Sequence, residues 1–433
     1  MKKFLLSILA LSGALSIMAQ HPTDKRLPVN VLVGEVEDSL KMYDIFVENA
    51  PADAFIHNAP RFAIVGKNEK FYLGFGGDVK ATMNYDWGSP IQNANEFAPY
   101  TIPMPGSSGY KGNKGGWFGL SAQQSDFFLN FVALPNNPNK IGFYINATLL
   151  GNGYLPQVRS AYVSYRGLEA GYGFSLFTDL AADPNTIDYD GPNSFTVVIN
   201  AKLDYRHNFG KHFGIGVGAE MPMASYTNAT HTATVTQRVP DIPAYVQWNF
   251  GNNNRIRLSG LLRNMQYQDS RQDVKNAVGW GVQLTGNFNI CDKLIGYYQA
   301  AYGKGMTSYF EDLTGNGLDM VPNIDKNGEL ETVKAWGAYL GLQYNICDKC
   351  YCNLLYSQLR NYAPNYGEAG RFNGDPTPWS SQYKYGQYVL GNFFYNINDL
   401  FTWGIEYIWG RRMDMNGMQA HDNRLQTMLQ INF

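Results

Sequence analysis

Polar and apolar residues alternate strictly along much of this chain, and residues 71–85 give the clearest example. Every odd position from Phe71 to Tyr85 is apolar or glycine, whereas the even positions carry both charges, Asp78 and Lys80. A period of two predicts a β-strand whose faces meet different environments. Because a lysine facing lipid at mid-bilayer costs about 2 to 4 kcal/mol, the charged face is expected to line the lumen of a transmembrane barrel.

The same alternation recurs to the end of the chain. It predicts an all-β fold, an antiparallel transmembrane β-barrel of about 16 strands, which agrees with the even strand numbers of single-chain bacterial barrels. The predicted strands are 71–85, 124–133, 141–150, 158–165, 168–175, 195–206, 213–221, 244–250, 256–263, 278–288, 294–303, 335–344, 352–359, 385–395, 401–409 and 424–433.

The connections between these strands are of two lengths, which orients the barrel. Short turns are expected on the periplasmic side and long loops outside. The first and last strands then both end in the periplasm and are expected to pair, which closes the sheet. The short turns are 166–167, 251–254, 289–292 and 396–399, and the long loops are 86–120, 222–239, 303–334 and 361–380.

Both ends of the chain carry export signals. Lys2 and Lys3 precede an apolar run that ends at Ala19, which predicts a signal peptide over residues 1–19. Residues 20–70 contain a possible short helix around 37–47 and are interpreted as a periplasmic extension, either a plug or an assembly handle. Residues 71–433 form the predicted barrel. The last strand alternates up to Phe433, which resembles the recognition signature of the outer-membrane barrel assembly machinery.

Composition supports a barrel surrounded by outer-membrane lipid. Charged residues make up 16% of the chain, against about 25% in an average soluble domain, and aromatic residues reach 15%. After the signal peptide no apolar run is long enough to cross a bilayer as a helix, so any crossing must use strands. The net charge of −2 gives no support for nucleic-acid binding.

The loop over residues 177–193 carries the main functional hypothesis. It follows the fifth predicted strand and ends in Gly191-Pro192-Asn193, a sequence that favours a sharp return of the chain. We expect this third extracellular loop to fold inward and narrow the pore; the alternative is an acidic surface loop. Its candidate constriction residues are Asp179, Asp183, Asp188 and Asp190.

Basic residues at the lumen-facing positions of the predicted strands are expected to face this acidic loop. The resulting transverse field would favour anions beside the arginines. The alternative for each residue is a structural ion pair with a neighbouring carboxylate. The candidate pore-lining residues are Lys80, Lys202, Arg206, Arg257, Arg263, Arg424 and the acidic Glu406.

Four cysteines lie in or beside two periplasmic turns: Cys291, Cys347, Cys350 and Cys352. Export permits disulfides between them, and four cysteines leave three possible pairings. A metal site is disfavoured because Cys347-x-x-Cys350 lacks a second matched pair and no histidine lies nearby in sequence. No cofactor is expected.

Three stretches resemble the family of DcaP-like porins: LGFGGDVKATMNYDWG at 73–88, FSLFTDLAADPNTIDYDGPNS at 174–194 and GIEYIWGRR at 404–412. The two NICDK turns resemble Bacteroidetes-type relatives. The resemblance implies a homotrimeric sixteen-stranded porin that passes small anionic solutes such as dicarboxylates, with the loop 174–194 bent into each pore. Family members often carry an N-terminal coiled coil, which residues 20–70 do not support, so the trimer contacts would come from the barrel walls.

The leading hypothesis is therefore a passive diffusion channel for small hydrophilic solutes and not an enzyme. A surface adhesin or receptor remains an alternative because loops 86–120 and 303–334 are long enough to bind a partner. A hydrolase on the barrel rim is disfavoured, since neither His231 nor His421 has convincing catalytic partners in the sequence.

Overall fold

The computed structural model describes residues 29–51, 59–112, 114–251, 254–326, 329–366, 370–371 and 379–433, and the predicted signal peptide lies outside them. Within these residues sixteen antiparallel strands close into one barrel. They are β1 (Phe71–Gly88), β2 (Gly115–Ser121 and Asp126–Ala133), β3 (Ile141–Gly151), β4 (Leu155–Tyr165), β5 (Leu168–Phe174), β6 (Ile199–Phe209), β7 (Phe213–Glu220), β8 (Ile242–Phe250), β9 (Asn254–Gln268), β10 (Val274–Cys291), β11 (Leu294–Lys304), β12 (Lys334–Cys347), β13 (Cys350–Asn361), β14 (Tyr383–Asn396), β15 (Phe401–Asp414) and β16 (Gln419–Asn432).

Strand β16 pairs with β1 and closes the barrel, as the sequence predicted. The register runs from Asp422 opposite Gly88 to Asn432 opposite Asp78. Each predicted strand overlaps one observed strand, although most observed strands extend further at their outer ends. The predicted sixteen-stranded barrel is confirmed.

The alternation along β1 separates the two faces of the wall. Val79 and Met83 are 54% and 45% exposed and point outward. Asn84, which follows Met83, is only 1% exposed and points into the barrel. The outward face is apolar because it meets lipid, and the inward face can keep its polar groups because they find partners inside.

The connections are short at one end of the barrel and mostly long at the other. The loops 89–114, 175–198, 221–241, 305–333 and 362–382 are long, as predicted. Three connections at the same outer end are short, namely 152–154, 269–273 and 415–418. The turns at the opposite, periplasmic end include 166–167, 292–293 and 348–349.

The segment before β1 contains the predicted short helix, here α1 (Ser39–Asn49), whose N-terminus is capped by the Asp38 side chain. A short strand, Phe62–Val65, pairs antiparallel with the start of β1 and parallel with Asn30–Val33. The apolar face of α1 places Phe46 against Tyr72 and the inner side of β2. No helix in the described residues is long and apolar enough to span a membrane.

Candidate functional site

The loop of residues 175–198 folds into the barrel, as predicted. Phe177 and Ile187 are completely buried, and Asp179 is 2% exposed. Its return is made by Gly191, whose φ of 68° lies in the left-handed region that favours glycine, and by a hydrogen bond from the backbone N–H of Phe195 to the carbonyl of Pro192. The turn chemistry read from the sequence therefore sends the chain back along the inner wall.

Asp179 attaches the start of this loop to the wall at β9 and β10. Its carboxylate accepts two hydrogen bonds from the Arg255 guanidinium, at 2.8 and 3.0 Å, and a third from Thr285. Arg257 lies 3.6 Å away. Burial alone would raise the pKa of Asp179, but the two arginines hold it below its ordinary value. The anchor is thus a charged, bidentate contact at neutral pH.

Glu406 on β15 holds the middle of the loop. Its two carboxylate oxygens accept the backbone N–H groups of Ile187, at 2.9 Å, and Asp188, at 3.0 Å. Asn392 and Gln426 donate to the same carboxylate from β14 and β16. The Glu406 carboxylate therefore holds the loop in place by accepting hydrogen bonds from its backbone.

Asp188 connects the inward loop to a second loop, residues 89–114. It accepts the backbone N–H of Phe97 and the hydroxyl of Tyr388, both at 2.9 Å. Burial and the neighbouring charge of Glu406 raise the pKa of Asp188 to about 8.

Loop 305–333 also packs inside the outer mouth. Leu313, Leu318 and Val321 are completely buried against inward-facing residues such as Leu261 and Leu359. This core forms because the lumen side of the outer strand ends is apolar here, so the loop buries its own apolar side chains against them. The long loop does not project as a free binding arm.

Three loops bring their carboxyl groups together at the tip of the inward loop. Asp190 forms a side-chain hydrogen bond with Glu311, and Glu96 of loop 89–114 lies close to both. Burial and the neighbouring carboxylates raise the pKa of Glu311 to about 8 and that of Asp190 well above its ordinary value. Glu311 is therefore largely neutral near pH 7.

Two buried arginines tie further loops to the wall. Arg263 on β9 lies 3.0 Å from both Asp241 and Asp319. Arg424 on β16 makes two hydrogen bonds to Asp86 across the closing seam, at 2.7 and 2.8 Å, and donates to backbone carbonyls of loop 89–114. Both guanidinium groups are shielded from water.

The wall at β5 and β6 carries a second charge network. Lys202 lies 2.7 Å from Glu169 and 2.8 Å from Asp204, and Arg206 lies 3.3 and 3.5 Å from the same carboxylates. The Arg206 side chain is 39% exposed, whereas those of Glu169 and Asp204 are 13% and 0% exposed. Arg206 is thus the member of this network that faces open space.

Comparison with known proteins settles the family. The model of a family described as the porin subfamily matches residues 146–424. The chain belongs to the porin subfamily. A comparison with curated protein sequences found no match.

Solved structures share the fold of this porin. The outer-membrane channel DcaP of Acinetobacter baumannii is 20% identical, with a TM-score of 0.70, and the match covers 85% of this chain and 99% of that one. An anion-selective porin from Comamonas acidovorans is 12% identical, with a TM-score of 0.52 and coverages of 84% and 100%. OmpT of Vibrio cholerae is 9% identical, with a TM-score of 0.53 and coverages of 85% and 100%. The resemblance to DcaP-like porins read from the sequence is confirmed.

The porin places its predicted lumen residues on the inner face, but most of them hold loops. Arg263, Arg424 and Glu406 are at most 1% exposed, which favours the structural contacts that the sequence left open as the alternative to a pore-lining role. Arg263 forms ion pairs with carboxylates of inward-folded loops, and Arg424 and Glu406 form hydrogen bonds with the backbone of such loops. Lys202 and Arg257 are also buried, and Arg257 stacks on Tyr245 at 3.7 Å.

Two of the predicted basic residues keep access to the lumen. Arg206 is the more exposed, and Lys80 is half-buried while donating to the carbonyl of Ile187 at 3.2 Å. Among the loop carboxyls, Asp179 and Asp188 are anchors, and Asp183 is buried within the loop beside Gly191. Asp190 alone reaches the half-exposed tip.

Sequence reasoning missed two contributors to this site. Arg255 lies on the same inward face of the strand as Arg257 and Arg263, so extending the predicted strand 256–263 by one residue would have found it. Glu311 lies in a loop that was expected to be external. No local pattern places a loop inside the barrel, because that depends on the apolar inner wall formed by distant strands.

The cysteines of the porin are only partly paired. Cys347 and Cys350 form a disulfide across the turn between β12 and β13. Cys291, at the end of β10, and Cys352, in β13, are free, so the four candidate disulfide cysteines form one pair in this structure. No group of three or more His, Cys, Asp or Glu side chains in the described residues could hold a metal ion.

Proposed function

We propose that this chain is a porin of the outer membrane that lets small hydrophilic solutes diffuse passively, with a preference for anions such as dicarboxylates. The observation that carries the proposal is a closed barrel narrowed by an inward loop, in a chain of the porin subfamily. Export through a signal peptide cleaved near Ala19 would deliver it there.

The distribution of exposed charge supports the anion preference. Arg206 presents a guanidinium to the lumen while its carboxylate partners are shielded. At the loop tip, Asp190 and Glu311 have raised pKa values and contribute little negative charge near pH 7. A small anion in the lumen would therefore meet the Arg206 guanidinium before the shielded carboxylates of the same network.

Reversal potentials in planar bilayers under a salt gradient test this proposal. The wild type should conduct in discrete steps and favour anions. Arg206→Ala should shift the reversal potential toward that of an unselective channel, whereas Lys211→Ala, which removes a basic residue from the exposed turn 210–212, should not. A cation-selective wild type would refute the anion preference, and an absence of conductance by folded, heat-modifiable protein would refute the channel.

The assembly that we propose is a homotrimer in outer-membrane lipid, built through the barrel walls. The apolar outward face supports membrane residence, and the family resemblance supports three subunits. The terminal Phe433, whose backbone pairs with Gly77, would be read by the barrel assembly machinery. Cross-linking in the membrane should give species of up to three subunits.

A further inference from the structure

A row of polar side chains crosses the outward face of four adjacent strands near the outer rim. The register aligns Gln358 on β13 with Gln387 on β14, Gln387 with Arg411 on β15, and Arg411 with His421 on β16. Outward positions elsewhere on these strands, such as Leu354 and Leu425, are exposed and apolar. Such a polar row would be costly in hydrocarbon, so we expect it at a level of the membrane where polar partners are present.

This row lies directly above an aromatic belt. Trp409 and Tyr407 precede Arg411 on the same outward face of β15, and the ring of Tyr407 lies 6.0 Å from that of Trp87 on β1. Aromatic belts mark the boundary between hydrocarbon and headgroups. The cost of an outward arginine falls from about 2 to 4 kcal/mol at the midplane to about 0 to 1 there. The polar row therefore sits at the level of the outer-leaflet headgroups.

Two arginines of this surface have no carboxylate partner among the described residues, unlike Arg263 or Arg424 in the lumen. Arg411 donates to Gln387, at 3.5 Å, and to Gln419, and its guanidinium lies over the ring of Tyr385. Arg360, two residues beyond Gln358 on the same face, lies over the ring of Tyr362 at 4.5 Å. Neutral amides and rings orient these cations without cancelling their charge.

A groove opens beside Arg411. It has a volume of about 430 Å³ and is lined by Trp409, Arg411, Gln419, Ala420 and His421. One side is an aromatic ring suited to an acyl chain, and the other is a group of hydrogen-bond donors suited to a phosphate. The outward positions of β13 to β16 carry no acidic residue in the described structure, so nothing there repels an anion.

We propose that the outward face of β13 to β16, around Arg411 and Arg360, binds the phosphorylated headgroup of an outer-leaflet lipid. The guanidinium groups pair with the phosphate, and Trp409 packs on the adjoining acyl chain. Basic pockets at headgroup level are recognition sites for anionic lipids. This site is separate from the lumen, so it does not depend on what the channel conducts.

Titration of delipidated protein with bis-phosphorylated lipid A, followed by native mass spectrometry, tests the site. The variant carrying both Arg360→Ala and Arg411→Ala should need a lipid concentration higher by about tenfold or more, since the loss of even one charge-assisted contact worth about 1.4 kcal/mol is one factor of ten. A matched variant, Lys211→Ala with Lys275→Ala, removes the same charge elsewhere and should bind as the wild type does.

Two further binding experiments identify the chemical group that is bound. Lipid A lacking phosphates should bind the wild type as weakly as intact lipid A binds the arginine variant, and excess inorganic phosphate should not displace the bound lipid. Unchanged conductance of the arginine variant shows that it is folded. Equal lipid binding by both double variants would overturn the proposal, as would a Gln387→Cys disulfide between two copies, which would make this face a subunit interface.

Discussion

At the scale of single residues, charge inside this barrel mainly holds loops in place. Asp179, Glu406 and Arg424 each make hydrogen bonds that join an inward loop to the barrel wall. A buried ion pair contributes little net stability, but removing one partner leaves the other unpaired at a high cost. The lumen is therefore sensitive to truncation of these side chains even where they never meet solute.

The Glu406 carboxylate gives the first residue-scale prediction. Glu406→Ala should loosen the inward loop, because the backbone N–H groups of Ile187 and Asp188 lose their acceptor at about 1 to 3 kcal/mol each. We expect larger and noisier single-channel currents in bilayers. Glu406→Gln keeps one acceptor oxygen, so its currents should be intermediate between those of the wild type and those of Glu406→Ala. Currents from the alanine variant that match the wild type would show that the loop is held by other contacts.

The acidic cluster gives a prediction for pH. The pKa of Glu311 is raised to about 8, so its neutral form stabilises the packing of the three loops fully below about pH 4.3, its ordinary value, and this contribution is lost as the pH rises through 8. Ionisation adds negative charge beside Asp190, Glu96, Asp188 and Asp312. Anion preference in bilayers should therefore decline between about pH 7 and 9.

Glu311→Gln is the matched control for this titration. The variant keeps the shape and the hydrogen-bonding capacity of the side chain but carries no titrating proton, so its selectivity should change less over the same pH range. An unchanged pH response would assign the effect to another group.

At the scale of elements, the helix α1 fits against the inner wall at the periplasmic end. Asn49 donates to the Asn130 side chain at 2.7 Å and accepts from Ser164 at 2.6 Å. The backbone carbonyl of Asn49 also accepts the Tyr162 hydroxyl. The described part of the segment before β1 is thus attached to lumen-facing groups of β2 and β4. The interpretation of residues 20–70 as a plug or an assembly handle stays a prediction.

Asn49→Ala should weaken this attachment. It removes the hydrogen bonds to Asn130 and Ser164, each worth about 0.5 to 1.5 kcal/mol, and two longer ones to the carbonyls of Phe131 and Phe143. Protease should therefore cleave residues 29–51 faster, and conductance should rise. Glu48→Ala is the matched control on the same helix, because its ion pair with Lys140 is exposed to solvent and such pairs contribute at most about 1 kcal/mol. Equal cleavage rates in wild type and Asn49→Ala would show that α1 is held by its apolar face alone.

At the scale of the whole molecule, closure depends on one seam between the first and last strands. The seam contains the buried pair of Arg424 and Asp86, which also receives a hydrogen bond from Asn84. Because a barrel has no free edge, weakening the seam weakens the entire sheet.

Arg424→Met should lower the temperature at which the folded band disappears on unheated gels. Leaving Asp86 buried without its partner costs about 3 to 5 kcal/mol. Adding Asp86→Leu should restore part of the loss, and Arg411→Met, on the outer face, should change the temperature little. A stable Arg424→Met variant would show that the seam is held by the strand ladder alone.

Local rules were enough to predict the strands and their faces. In Phe71–Gly88 a period of two places every charge on one side, and the cost of a charge in lipid decides which side is inward. The inward course of 175–198 followed from its Gly-Pro turn and its place in the chain. The weaker prediction was the role of Arg263, since parity shows where a side chain points but not what covers it.

The sequence by itself determined the barrel, its strand number, its closure and its lumen face, because these depend on alternation and turn length within each strand pair. Only the tertiary structure decided which lumen charges are buried in anchors and which, such as Arg206, stay open. It also brought Glu96, Asp190 and Glu311 together and aligned Gln387, Arg411 and His421 on the outer wall. Such sets come from residues far apart in sequence, and their positions are set by loop packing and strand register across the whole barrel.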